Sequence, residues 1–391
     1  MRIKKFRYSN HKENWHIEPI EFDDLNLLVG VSGAGKTTII QALKLLSRVA
    51  KGRSVPLDEI DWCIDFSHDG NNYQWELKSA AIKDKLSAAK KSELTNITFE
   101  RVVKIDLDKQ VEILIRSQEK SKLGDSILPK LKRSESVIAL LAEEKTIAPI
   151  SQGFDRFVFN EIIQERILSI PEPSNNNDSQ VSDDSSTVSG DNHDDVDFEV
   201  KEKEVLAFLA EAPPVLKAYT IQEAFPDKFN ELKFNYQNVF DTVEDIRVKK
   251  QRLQDKLVLT FEIKEEENWV PQRRISSGMY RTLIYMVEAI FAPEKSVICI
   301  DDFENSLGIN CMSDITDFVL DQSLEEMQFI ITSHHPYIIN NIPWENWQIV
   351  SRDGNKIKVR KATSITELHT ASSLDKFTLL IDFLEFEDSV A

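Results

Sequence analysis

Lys36 and Thr37 close the run Gly30-Val31-Ser32-Gly33-Ala34-Gly35-Lys36-Thr37, which holds three of the chain's eleven glycines. The spacing fits G-x-x-x-x-G-K-[ST], the loop that binds phosphate. Backbone N–H groups of such a turn surround phosphate oxygens, and the helix N-terminus behind them adds partial positive charge. The glycines supply conformations that a Cβ blocks. Lys36 is expected to reach the β- and γ-phosphates, and the Thr37 hydroxyl to bind Mg²⁺. Ser32, Ala34 and Thr38 complete the nucleotide-contacting stretch. The bland alternative is an ordinary strand-to-helix turn.

Three further places carry chemistry. Ser296–Ile300 is an apolar run ending in Asp301-Asp302. An Asp at the C-terminal edge of a buried strand can stand beside Mg²⁺, the role expected of Asp301. Asp302 then sits where a general base polarises the attacking water. Phe329-Ile330-Ile331-Thr332-Ser333 is a second apolar run, ending in His334, which could meet a γ-phosphate or that water. Ile275-Ser276-Ser277-Gly278 opens a long helical pattern, a second N-terminus suited to an anion. Each also has an ordinary reading, as a polar strand end, a structural histidine or a helix cap.

Positioning these residues requires strands that stop at a common edge. Leu25–Val29 before the loop and Ile39–Val49 after it give a strand and a helix. Ile3, Phe6 and Ile17–Phe22 have strand character. Trp62–Phe66 and Tyr73–Leu77, joined by His68-Asp69-Gly70-Asn71-Asn72, predict a hairpin. Ile97–Ile105 and Val111–Ile115 predict another antiparallel pair, and Leu257–Ile263 a further strand. Ser134–Glu144, Phe157–Leu168 and Tyr280–Phe291 are predicted helical, as is most of Val205–Leu253, with heptad-like stretches around Phe229–Lys250.

Pro173–Glu204 holds ten acidic residues against two lysines. Such a segment cannot bury enough surface to offset its ordering entropy, which predicts a flexible acidic insertion. The expected divisions are 1–170, the acidic insertion 171–204, a helical lobe 205–254, and 255–391.

A hydrophobic content of 41% supports a real core, and the net charge of −18 argues against a uniformly basic nucleic-acid binder. No apolar run is long enough for a membrane span. The start, Met1–Arg7, lacks the apolar core of a signal peptide and is expected to be a first strand. Cys63, Cys299 and Cys311 have no metal-ligand spacing, and a cytoplasmic site without disulfides is the default.

The order of phosphate loop, Ser-Ser-Gly helix, Asp-Asp strand and strand-end histidine resembles the ABC-type ATPase heads of the SMC, RecF and OLD families. Ile3-Lys4-Lys5-Phe6-Arg7, Asp301-Asp302-Phe303-Glu304-Asn305 and Thr332-Ser333-His334-His335-Pro336 are similar to stretches of those heads. The resemblance covers roughly 1–80 and 255–350. It implies an α/β P-loop NTPase of ABC-ATPase type, with a mixed central sheet, an antiparallel β subdomain and an inserted helical lobe.

It also implies a homodimer or higher homo-oligomer that sandwiches ATP. Lys36 and Thr37 would act in cis, Ser277 and Gly278 in trans with Ser276 also at the nucleotide, His334 as the switch histidine, and Arg7 near the nucleotide. The family's usual catalytic Glu is Asp302 here, one methylene shorter, which implies slow hydrolysis or assistance from Glu304.

The stretch after Pro336 is too short for a Toprim nuclease, so the nearest analogy is to ATPase subunits of bacterial anti-phage systems such as Septu PtuA and PARIS AriA. That implies a separate effector protein, a nuclease or toxin. The rival readings are a RecF- or SMC-like DNA-repair ATPase using the basic stretches Lys83–Lys91, Lys120–Arg133 and Arg247–Lys256, and a non-catalytic nucleotide switch.

Overall fold

The parallel strands that carry the site are apolar throughout because both of their faces are covered. Leu25–Val29, Val297–Ile300 and Gln328–Thr332 are buried at every position. The structure, a computed structural model, describes residues 1–81, 96–106, 109–160, 168–170, 194–253, 256–370 and 376–382. It divides into two units: Met1–Glu161 with Glu294–Asn305 and Met312–Ala391, and Ile162–Pro293 with Ser306–Cys311.

The first half runs β1 (Arg2–Asn10), β2 (Trp15–Glu21), β3 (Leu25–Val29), α1 (Lys36–Ala50), β4 (Ile60–His68), β5 (Asn71–Ser79), β6 (Ile97–Asp106) and β7 (Lys109–Arg116). It continues through β8 (Ser121–Leu123), β9 (Ser126–Ile127), α2 (Val137–Leu140), α3 (Ala148–Asp155) and β10 (Phe157–Asn160). The second unit holds β11 (Leu168–Ile170), α4 (Asp194–Leu209), α5 (Pro214–Ala224), α6 (Pro226–Val239), β12 (Val243–Leu253), β13 (Lys256–Glu265), β14 (Asn268–Pro271) and α7 (Ser277–Ile290). The chain ends with β15 (Val297–Ile300), α8 (Ile309–Leu324), β16 (Gln328–Thr332), α9 (Pro336–Asn341), β17 (Trp347–Asp353), β18 (Lys356–Lys361) and α10 (Thr366–Thr370).

Among the described residues the first unit is built on a fourteen-stranded mixed sheet, ordered β10-β15-β16-β3-β17-β18-β2-β1-β4-β5-β6-β7-β8-β9. Strands β10, β15, β16, β3 and β17 are parallel. From β1 through β9 each neighbour is antiparallel. The α/β class and the large mixed sheet are as expected from the sequence. The hairpin of β4 and β5 and the pair β6 and β7 form where the pattern placed them.

Three expectations are corrected. Phe157–Asn160 is a strand paired with β15 in parallel, not the start of a helix. Phe157 and Val158 are buried, and a strand buried on both faces has no period to distinguish it from a helix. Val243–Leu253 is a strand paired with β13 along its length, not part of the helical lobe. Val243, Ile246 and Val248 are its buried positions, and a bulge between Val243 and Asp245 breaks the alternation into something like a heptad. Asp194–Glu204 of the acidic stretch is helical within α4. Residues 171–193 of that stretch lie outside the described residues.

Two buried carboxylates organise the interior. Glu100 on β6 is fully buried and accepts from Arg116 Nη2 at 2.6 Å, Ser136 Oγ at 2.5 Å, Trp75 Nε1 at 3.2 Å and the Val137 N–H at 2.9 Å. Every lone pair is thereby used, the condition under which a buried charge is tolerated. In the second unit Glu288 on α7 receives Lys217 Nζ of α5 at 2.5 Å.

His68, at the end of β4, is buried with both ring nitrogens lacking a hydrogen-bond partner, although Asp69 Oδ2 lies 3.4 Å from Nε2. Burial first, and the N-terminal ammonium second, push its pKa down to about 4. The unfolded chain, with an ordinary imidazole near 6.5, therefore binds the proton more readily. Stability from a neutral His68 is complete above about pH 6.5 and is lost as pH falls toward 4. Urea unfolding at pH 7 and pH 5 is expected to show this loss, and His68→Phe to remove most of it. An unchanged difference in the variant would exclude His68 as the source.

Candidate functional site

Gly30, Asp301 and Ser333 each follow a parallel strand, β3, β15 and β16, and the register aligns those ends. Ile300 stands beside Ile331, and Thr332 beside Leu28. Loops at the carboxyl edge of a parallel sheet are where this class of fold binds ligands.

The phosphate loop is held open by its glycines. Gly35, the residue before α1, has φ of +106°, and a Cβ there would lie 2.5 Å from Ile357 Cδ1. A Cβ on Gly30 would lie 2.4 Å from the Val350 carbonyl oxygen. Ala34 is buried, whereas Ser32, Gly33 and Thr37 are exposed and Thr38 is half-buried in the first turn of α1. Lys36 Nζ donates to the carbonyls of Gly30 at 2.7 Å and Val31 at 3.2 Å. Burial lowers the Lys36 pKa, and the carboxylates of Asp302, Glu304 and Asp301 oppose that shift.

Asp301 and Thr37 meet. Thr37 Oγ1 donates to Asp301 Oδ1 at 3.1 Å, and Thr332 Oγ1 donates to the same oxygen at 2.7 Å. A hydroxyl and a carboxylate oxygen at this separation suit the hard, oxygen-seeking Mg²⁺. Thr332 also accepts from the Asp302 N–H at 2.7 Å, so its hydroxyl fixes both aspartates. No local pattern marks Thr332 for that role.

Asp302 has φ of +48°, a left-handed conformation that Asp tolerates better than most residues. Burial, then the neighbouring Asp301 and Glu304 carboxylates, raise its pKa, while His334 and Lys36 oppose the rise. A raised carboxylate pKa brings a group closer to the range useful for accepting a proton near neutrality. His334 Nδ1 lies 2.7 Å from Glu304 Oε1 and 3.9 Å from Asp302 Oδ1. The His334 N–H also donates to Glu304 Oε1 at 2.9 Å. Glu304 therefore orients His334 and stands next to Asp302, closer to the centre of the site than its place in the sequence suggested.

Two sites are placed differently from the rest. Arg7, on β1, gives Nη1 to Asp61 Oδ1 at 3.0 Å, and His11 Nε2 bonds the other oxygen, Oδ2. Its neighbour Tyr8 pairs with Ile17, which pairs with Ile357, the residue against Gly35. Arg7 is thus one row from the loop but engaged by Asp61. Ser276, Ser277 and Gly278 belong to the second unit. Ser276 caps α7, its side chain accepting from the Met279 N–H at 3.3 Å, and Ser277 is exposed. A Cβ on Gly278 would lie 3.0 Å from the Gly308 nitrogen.

Asn160 was not anticipated. It ends β10 beside Ile300, is 4% exposed, and both polar atoms of its carboxamide are buried without a partner. The helical reading of Phe157–Leu168 concealed it.

A glycine-lined loop after the central parallel strand, with an Asp two strands away reaching its Thr, defines a P-loop ATPase fold. Residues 1–339 match the family model described as AAA ATPase domain, AAA_15, and the chain belongs to that family. Three solved structures are similar in fold. An SMC head bound to the C-winged helix domain of ScpA is 14% identical, with TM-score 0.47, covering 93% of this chain and 100% of that one. The SMC head domain from Thermotoga maritima is 11% identical, with TM-score 0.40, covering 92% and 99%. An SMC head with extended coiled coil bound to the C-terminal domain of ScpA, from Pyrococcus furiosus, is 13% identical, with TM-score 0.44, covering 95% and 100%. No curated protein matches the chain.

Among the described residues no helix is long and apolar enough to cross a membrane. The three cysteines are free thiols. Within the basic stretches, Lys83–Lys91 lies outside the described residues. Arg247 and Lys249 are both paired with Glu262.

Proposed function

We propose that this chain is a cytoplasmic ATPase that closes with a second copy of itself around ATP and thereby controls a separate effector protein in bacterial anti-phage defence. The observation that carries the ATPase part is the meeting of Thr37 and Asp301 at 3.1 Å, with Asp302, Glu304 and His334 grouped on the same edge. Gly30–Thr38 holds the phosphates. Thr37 and Asp301 hold Mg²⁺, which supplies charge neutralisation when bound. Asp302 accepts the proton of the attacking water, and Glu304 keeps His334 turned toward Asp302. Ser276, Ser277 and Gly278 serve the partner copy's nucleotide. A RecF- or SMC-like DNA-binding ATPase is equally consistent with the family; within Arg247–Lys256, Glu262 already engages Arg247 and Lys249.

Single-turnover hydrolysis and mass measurement with and without ATP test the proposal together. ATP is expected to shift the chain to a dimer or larger assembly. Asp302→Asn is expected to bind ATP normally, assemble, and hydrolyse at least about a hundredfold more slowly, the usual contribution of a general base. The wild-type rate should rise with pH as Asp302 loses its proton. Equal rates in the variant would remove Asp302 as the base, and an ATP-independent monomer would remove the clamp.

A further inference from the structure

Glu304 carries an oxygen that the hydrolytic chemistry leaves unused. Its side chain is 8% exposed, and Oε1 is occupied by His334. Oε2 is buried without a hydrogen-bond partner. A carboxylate oxygen in that state carries a desolvation cost that a donor or a cation removes.

The neighbouring side chains favour a cation. Asp302, Glu304 and His334 each offer one ligand atom, and these atoms lie within 4.8 Å of one another. A dication held at about 2.0–2.2 Å from three donors needs them roughly 3–4 Å apart. His334 Nδ1 already stands 2.7 Å from Glu304 Oε1 and 3.9 Å from Asp302 Oδ1, so the closure left is between the two carboxylates and falls to the Asp302 side chain, 42% exposed. One imidazole with two carboxylates is a donor set for a transition-metal dication, whereas Mg²⁺ prefers oxygen ligands and retained water. Thr37 and Asp301 already offer such oxygens at 3.1 Å.

We propose that Asp302, Glu304 and His334 form a second cation site, separate from the Mg²⁺ position, that binds Zn²⁺ with water completing its shell. His334 binds through an unprotonated ring nitrogen. Bound Zn²⁺ occupies the Asp302 carboxylate and halts hydrolysis while the phosphate loop still holds ATP. That consequence rests on the reading of Asp302 as the base; the binding of metal does not.

The test is a titration of the full chain with Zn²⁺, without nucleotide, against a competing chromophoric chelator. One equivalent per chain is expected. Glu304→Gln, nearly isosteric, and His334→Ala, at an exposed position, should each weaken binding about 10- to 100-fold, the usual cost of disturbing a metal's ligands or their supports. Thr37→Ala and His11→Ala should leave it unchanged, the second because His11 lies with His16 and Asp61 in another part of the sheet. No binding, or equal binding in Glu304→Gln and His334→Ala, overturns the inference.

In single-turnover reactions Zn²⁺ should inhibit with a midpoint matching the titrated affinity. Zn²⁺ that binds with the expected variant pattern yet does not slow hydrolysis supports the metal site and removes Asp302 as the base. Zn²⁺ binding that both variants lose, in a chain that does not hydrolyse ATP, supports the site and counts against the ATPase reading.

Discussion

Lys36→Ala is expected to weaken ATP binding by roughly two orders of magnitude and to abolish ATP-dependent assembly. A charge-assisted hydrogen bond contributes about 1.5–3 kcal/mol, and the P-loop lysine makes such bonds to phosphate oxygens. Lys36 is prepared for that contact: it is half-buried, and the carbonyls of Gly30 and Val31 fix its ammonium inside the loop. Three carboxylates nearby help to keep it charged against burial. Folding should be little affected, because the variant loses only these local bonds at a partly exposed position. Titration with a fluorescent ATP analogue, alongside a thermal melt, reads both quantities. Undiminished affinity would mean that the loop does not hold the nucleotide through Lys36.

Lys217→Met is expected to destabilise the second unit by about 3–5 kcal/mol, the cost of leaving one member of a buried ion pair alone. Lys217 and Glu288 are 1% and 9% exposed at the side chain, and their polar atoms are 2.5 Å apart. Burial raises the Glu288 pKa, and Lys217 opposes the rise. Without Lys217 that opposition vanishes, and folded Glu288 keeps its proton to higher pH than the unfolded chain does. A group with a raised folded pKa stabilises below its unfolded pKa and loses that contribution as pH rises through the folded one. The variant should therefore be least stable at high pH. The double variant Lys217→Met with Glu288→Leu should recover most of the loss, since well-packed apolar replacements of buried pairs are often neutral or better. Urea denaturation of all four members of the cycle measures the coupling. A double variant as unstable as the single one would show that packing around α7, not charge, is what Lys217 maintains.

Much of the site was legible because its residues lie at the ends of short, fully apolar strands. Leu25–Val29, Val297–Ile300 and Gln328–Thr332 stop at Gly30, Asp301 and Ser333, and parallel pairing brings those ends together. The phosphate loop was legible from glycine clustering alone. The parts that were not legible depend on partners far apart in the chain. Glu100 takes its donors from Trp75, Arg116, Ser136 and Val137. No local pattern announces that such a glutamate is buried. Asn160 was concealed because four strand residues next to a helical stretch carry no period of their own. Glu304 fits the local pattern as an accessory base, whereas its hold on His334 depends on pairing across two strand ends. The strand Val243–Leu253 was missed because its bulge mimics a helical repeat.

The position of β3 bears on how the chain is made. Its neighbours in the sheet are β16 and β17, so Leu25–Val29 cannot pair until Gln328–Asp353 exists. At about 5–20 residues per second, that is roughly a quarter of a minute to a minute during which the apolar segment has emerged without its sheet partners. Pairings this distant are also the slow ones in folding. The segment that builds the nucleotide site is thus an aggregation hazard on the ribosome, and chaperones that shield it there should govern how much active protein a cell obtains.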